Sequence, residues 1–137
     1  MKVCVLYYDK QSSNTCKDLA SSFASGIMKQ GEDCDIVDMG KETGKIISYY
    51  DYIAVIVPPA SLWGGKVPEA TGTFLRQCGT ISGKRSAAFI SKGSIRSTKT
   101  LQALFKLMEA QGMYLTYSDV LANNQIATES GKRIKLG

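Results

Sequence analysis

The sequence contains no histidine. That absence removes the usual general base, the commonest metal ligand and every Ser-His or Cys-His nucleophile pair, so conventional hydrolase chemistry is not expected. No run of eighteen apolar residues occurs, so the sequence offers no membrane-spanning helix and no membrane partner is expected. The four cysteines, at 4, 16, 34 and 78, never form a CxxC pair. Their spacing matches neither a zinc site nor a thioredoxin-type motif, and reduced, unpaired thiols in a cytoplasmic protein are the expectation. The glycines are not placed as in a Walker loop or a Rossmann fingerprint. The start, "MKVCVLYYDK", lacks a small-residue cleavage site and reads as a first strand, not a signal peptide. Although the net charge is +5 and the pI about 9.0, no run of five basic residues appears, which argues against a nucleic-acid partner.

What is present is an unbroken alternation of strand and helix patterns. With 137 residues the chain is long enough for one domain with a single sizeable core. Apolar runs at 2–8, 52–57 and 84–91 read as strands, the second apolar on both faces as a central parallel strand would be. "DCDIVDM" alternates with period two, as an edge strand does, and "MYLTYSDVLA" is a last strand candidate. Helical spacing joins Leu19, Phe23 and Ile27, then Val67, Ala70, Phe74 and Leu75, then Leu101, Leu104, Phe105 and Met108. "KETGKIISYYD" reads as a short helix or turn. The tail "NNQIATESGKRIKLG" shows no helical face, so residues after about 123 are expected to be a loose tail or an incomplete last helix. Five strands alternating with helices predict an α/β fold: an open, doubly wound parallel sheet with helices on both faces.

In such a sheet ligands bind beyond the carboxyl ends of the strands, where the strand order reverses. Three loops reach that place: "YYDKQSSNT" after the first strand, "PPASLWGGKVPE" after the third and "SKGSIRS" after the fourth. Ser12, Ser13, Asn14 and Thr15 bring hydroxyl and amide donors to a helix N-terminus, where free N–H groups already favour an anion. The same residue types are also the preferred helix caps, so capping alone is the competing reading. Trp63, flanked by Pro58, Pro59, Gly64 and Gly65, offers a flat ring that either stacks on a planar ligand or folds back on the surface. Together these loops describe a ligand with a phosphate at one end and a flat ring system at the other.

At these loops the sequence resembles the flavodoxin-like superfamily. "YYDKQSSNT" is similar to the phosphate loop "YGSTTGNT" of FMN-binding flavodoxins. "VPPASLWGGKVPEATGTFL" and "GKRSAAFISKGS" resemble the family's second and third flavin loops, and the likeness spans roughly residues 1–120. The resemblance implies strand order 2-1-3-4-5 and FMN as cofactor. It implies that Ser12, Asn14 and Thr15 hold the phosphate, with Lys10, Gln11 and Ser13 beside them. Pro59, Ala60, Ser61, Leu62, Trp63 and Gly64 would border the flavin ring, and Ser91, Lys92, Gly93 and Ser94 would approach its other side. Three positions depart from the pattern. Ser13 stands where glycine is usual, so a positive φ is expected to be strained there. The third loop has no aromatic residue, and Asp9 is expected to repel a phosphate.

The resemblance implies an electron carrier whose flavin does the chemistry, consistent with the missing histidine. Lys10, Lys66, Lys92 and Arg96 fall in the three loops, and they imply an acidic redox partner. Two alternatives stand beside this reading. One is an NAD(P)H-dependent flavin or quinone reductase, and the other is a domain of this fold that has lost FMN and serves as an interaction module.

Overall fold

The computed structural model describes residues 1–59, 67–93 and 97–137. The elements follow in the order β1 (Lys2–Tyr7), α1 (Thr15–Lys29), β2 (Asp33–Asp38), β3 (Tyr52–Val57), α2 (Glu69–Arg76), β4 (Arg85–Ser91), α3 (Ser97–Ala110), β5 (Tyr114–Leu121) and α4 (Asn124–Arg133). All strand pairings are parallel, in the order β2-β1-β3-β4-β5. This is the doubly wound α/β sheet that the alternation predicts.

The sheet divides the core into two layers because successive side chains point to opposite faces. Val3, Val5, Ala54, Ile56, Ala87 and Phe89 face α1 and α4, where they meet Leu19, Phe23 and Ile27. Cys4, Leu6, Ile53, Val55, Ala88 and Ile90 face the other side, with Phe74, Leu75, Leu104 and Met108. β3 is buried at every position, which explains why "YIAVIV" needs apolar residues on both faces. Burying a side chain the size of Phe23 or Ile56 stabilises the fold by ~1.5–3 kcal/mol, so the central strands anchor the loops that leave them.

The tail is where the structure departs from expectation. Residues Asn124–Arg133 form a regular helix packed along α1. Its buried residues are Ala127 and Gly131, so its packing face consists of small residues and carries no apolar stripe. A Cβ on Gly26 would collide with the carbonyl oxygen of Thr128, and one on Gly131 with that of Phe23. The two helices therefore touch backbone to backbone, an approach that only glycine permits. Gln30 at the end of α1 adds a latch, its side-chain amide donating to the carbonyls of Gly131 (2.7 Å) and Ile134 (3.0 Å).

Candidate functional site

The strand order sets the carboxyl ends of β1, β3 and β4 side by side, so the loops that follow them share one edge of the sheet. Sheet growth reverses between β1 and β3, which opens a crevice at that edge.

The loop between β1 and α1 begins with a tight turn. The amide of Ser13 donates to the carbonyl of Lys10 (3.0 Å), and Ser12 takes φ +64°. A left-handed residue at that position is what a type II turn demands, and a serine there costs roughly 1–2 kcal/mol. Sequence reasoning expected this strain at Ser13. It falls one residue earlier because the turn closes from Lys10 to Ser13. Ser12 is the sole non-glycine residue with positive φ among the described residues.

Helix α1 is capped from a distance. Asn14 occupies the N-cap position, yet its side chain makes no cap hydrogen bond. Instead the carboxylate of Asp9, just past the end of β1, accepts from the amide of Cys16 (2.8 Å) with one oxygen and from that of Lys17 (2.9 Å) with the other. This corrects the expectation that Asp9 would face and repel a phosphate. Its charge is directed at two helix amides and the positive pole of α1. A carboxylate at a strand end, a few residues before a helix start, is the signal by which this cap could have been found.

With the helix amides served by Asp9, the loop's own donors remain. The backbone amides of Gln11, Ser12 and Asn14 make no hydrogen bond among the described residues. Lys10, Gln11, Ser12, Asn14 and Thr15 are exposed, and Ser13 is half-exposed. Ser13 Oγ accepts from the Thr15 amide (3.3 Å) and lies 3.4 Å from Thr15 Oγ1, which stiffens the base of the loop. A left-handed residue flanked by free amides makes the concave backbone turn that binds anions. The donors therefore fit a phosphate monoester. They belong to the loop itself more than to the helix terminus.

The other two loops meet at their bases. A Cβ on Gly93 would lie 2.7 Å from Pro59 Cγ, so glycine is required for this contact between the β3 and β4 loops. Pro59 is half-buried, while Lys92 and Gly93 are exposed. Ser91 is only 2% exposed and faces inward, where its hydroxyl lowers the pKa of the Cys16 thiol against the effect of burial. Ala60, Ser61, Leu62, Trp63, Gly64 and Ser94 lie outside the described residues, as do Lys66 and Arg96. Sequence reasoning missed Cys16, which packs under the loop with its thiol pushed up to about 12 by burial. On the neighbouring strand, burial and then the Asp38 carboxylate push the Tyr7 hydroxyl up to about 12. Neither group ionises near neutral pH, so the described part of the edge presents neutral hydroxyls, amides and the cations Lys10 and Lys92, with the Asp9 carboxylate turned to the helix amides. Among the described residues no cluster of metal-ligating side chains occurs, and no helix is long and apolar enough to cross a membrane.

No family model matches this chain, and no curated protein does. Solved structures do. A flavodoxin from the domain Archaea superposes with a TM-score of 0.75 at 20% identity, over 96% of this chain and 94% of that one. Oxidised flavodoxin 1 from Bacillus cereus gives a TM-score of 0.74 at 16% identity, over 98% and 100%. A WrbA-like flavodoxin protein from Agrobacterium tumefaciens gives 0.65 at 16%, over 96% and 93%. The fold of this chain is flavodoxin-like.

Proposed function

We propose that this chain is an FMN-binding electron-transfer protein of the flavodoxin type. The observation that carries the reading is the loop after β1, where the amides of Gln11, Ser12 and Asn14 make no hydrogen bond among the described residues, around a left-handed Ser12. That strain and that surplus of donors have no use in capping, because Asp9 caps the helix. In this reading Lys10, Gln11, Ser12, Ser13, Asn14 and Thr15 hold the phosphate. The loop from Pro59 to Gly64, Trp63 included, borders the flavin ring, and Lys92, Gly93 and Ser94 approach its other side. Ser91 supports that third loop from below.

FMN supplies the electron chemistry when bound, and the chain supplies orientation, electrostatics and shielding from water. Lys10 and Lys92 place positive charge at the edge, which favours a dianionic phosphate and an acidic redox partner docking over the same edge. The test is colour and fluorescence. Purified protein that is yellow, or that quenches FMN fluorescence with micromolar affinity, supports the proposal. Protein that ignores millimolar FMN contradicts it and leaves an interaction module of this fold. Steady-state NADPH oxidation with a quinone would instead mark a reductase, since a carrier alone should show almost none.

A further inference from the structure

A second concave surface lies where the strands begin. Gly26 and Gly131 bring α4 onto α1, and β5 beside it is buried only at Leu121. Between β5 and α4 lies a trough of about 780 Å³, which begins at Arg85 and Tyr114, the first residues of their strands. It therefore starts at the amino ends of the strands, away from the candidate flavin loops.

We propose that this trough docks an acidic segment of a partner protein that also carries apolar side chains. Three observations select that occupant. Of the eight large apolar side chains exposed among the described residues, three line this trough: Tyr114 (61%), Tyr117 (42%) and Ile126 (39%). Tyrosine and arginine are the residues that most often carry interface energy, and Arg85 lies over the Tyr114 ring at 5.8 Å.

The second observation is charge. Arg85, Arg133 and Lys135 line the trough against one lining side-chain carboxylate, Glu129, which is already paired with Lys132 (3.2 Å) and Arg133 (3.4 Å). The surplus is positive, so complementarity calls for acidic groups.

The third is the contrast between the two edges of the sheet. β2 bears Asp33, Asp35 and Asp38, which guard its edge with charge. β5 has neither lysine nor proline. Its one acid, Asp119, accepts from the Tyr117 hydroxyl (3.2 Å) and from the amide of Val120 (2.8 Å).

The probe is a fluorescein-labelled peptide alternating glutamate and valine, with a lysine–valine peptide as control, both titrated by anisotropy against the full chain. Binding of the acidic peptide alone, weakened by salt, is expected. Arg133→Glu combined with Lys135→Glu should weaken it by about tenfold or more, as reversal of two rim charges does. Ile126→Ser, an uncharged change on the exposed side of α4, should weaken it several-fold with an unaltered thermal midpoint. Lys41→Glu, an exposed position between β2 and β3 outside both the trough and the candidate site, should leave it unchanged, and FMN titration should be the same with and without peptide. Equal binding of the two peptides, no binding of either, or loss caused by Lys41→Glu and not by the trough variants would overturn the proposal.

Discussion

Two helices of this protein start from asparagine, and they are capped in different ways. At α4 the Asn123 side chain accepts the amide of Ile126 at 2.8 Å, the ordinary arrangement in which the N-cap residue serves its own helix. At α1 the equivalent Asn14 makes no such bond, and Asp9 reaches across from the end of β1 to take the amides of Cys16 and Lys17. The same residue type is consumed at one helix and spared at the other. A cap supplied by a buried, rigid strand frees the intervening loop from holding the helix. The loop then keeps the Ser12 hydroxyl, the Gln11 and Asn14 side-chain amides and, among the described residues, three unbonded backbone donors for something else. That difference separates a polar loop that merely begins a helix from one equipped to bind.

The comparison can be broken by mutation. The largest effect at neutral pH is expected for Asp9→Ala, which leaves two helix amides without their charged acceptor and should lower stability by about 2 kcal/mol in urea unfolding. Asp9→Asn should recover part of that loss, because one amide keeps an acceptor.

A change confined to alkaline solution should come next. Burial raises the Cys16 thiol to about 12 while the hydroxyl of Ser91 pulls the other way. The folded chain therefore keeps a proton that the unfolded chain releases from near its ordinary value of 9.0. The associated stability is fully present below that value and is lost as pH climbs through about 12. Urea midpoints followed across this window should fall, and Cys16→Ala should make the decline shallower.

Asn123→Ala should cost about 1 kcal/mol, the ordinary worth of a side-chain cap. Asn14→Ala should be the smallest of the four in stability, within about 0.5 kcal/mol of the parent, while FMN affinity falls several-fold. A loss at Asn14 equal to that at Asn123 would show that Asn14 caps its helix after all, and the contrast between the two termini would collapse.

Much of this was legible in the sequence because it depended on periodicity. The strand runs and the apolar stripes at Leu19–Phe23–Ile27 and Leu101–Leu104–Met108 reflect burial directly, so the sheet and its edge of loops could be anticipated. α4 was not legible, since its packing rests on Ala127 and on the contact between Gly131 and Gly26. Glycine and alanine leave no hydrophobic period to read. The donors of the first loop were visible as residue types, but their disposition was not. Strain sits at Ser12, one position from where alignment with a glycine suggested, because a turn is set by which amide reaches which carbonyl. Asp9 was visible too, as a charge beside a phosphate site. Its role as a cap depends on where the chain turns after β1, which sequence spacing does not encode.

The central claim is that the loop from Lys10 to Thr15 recognises a phosphate. It is tested most directly by titrating the protein with FMN and with riboflavin, which share the flavin ring and differ in the phosphate. The account predicts that FMN binds at least about tenfold more tightly, a difference of ~1.4 kcal/mol, and that inorganic phosphate narrows the gap. Equal affinity for the two flavins, or binding of neither, would contradict it.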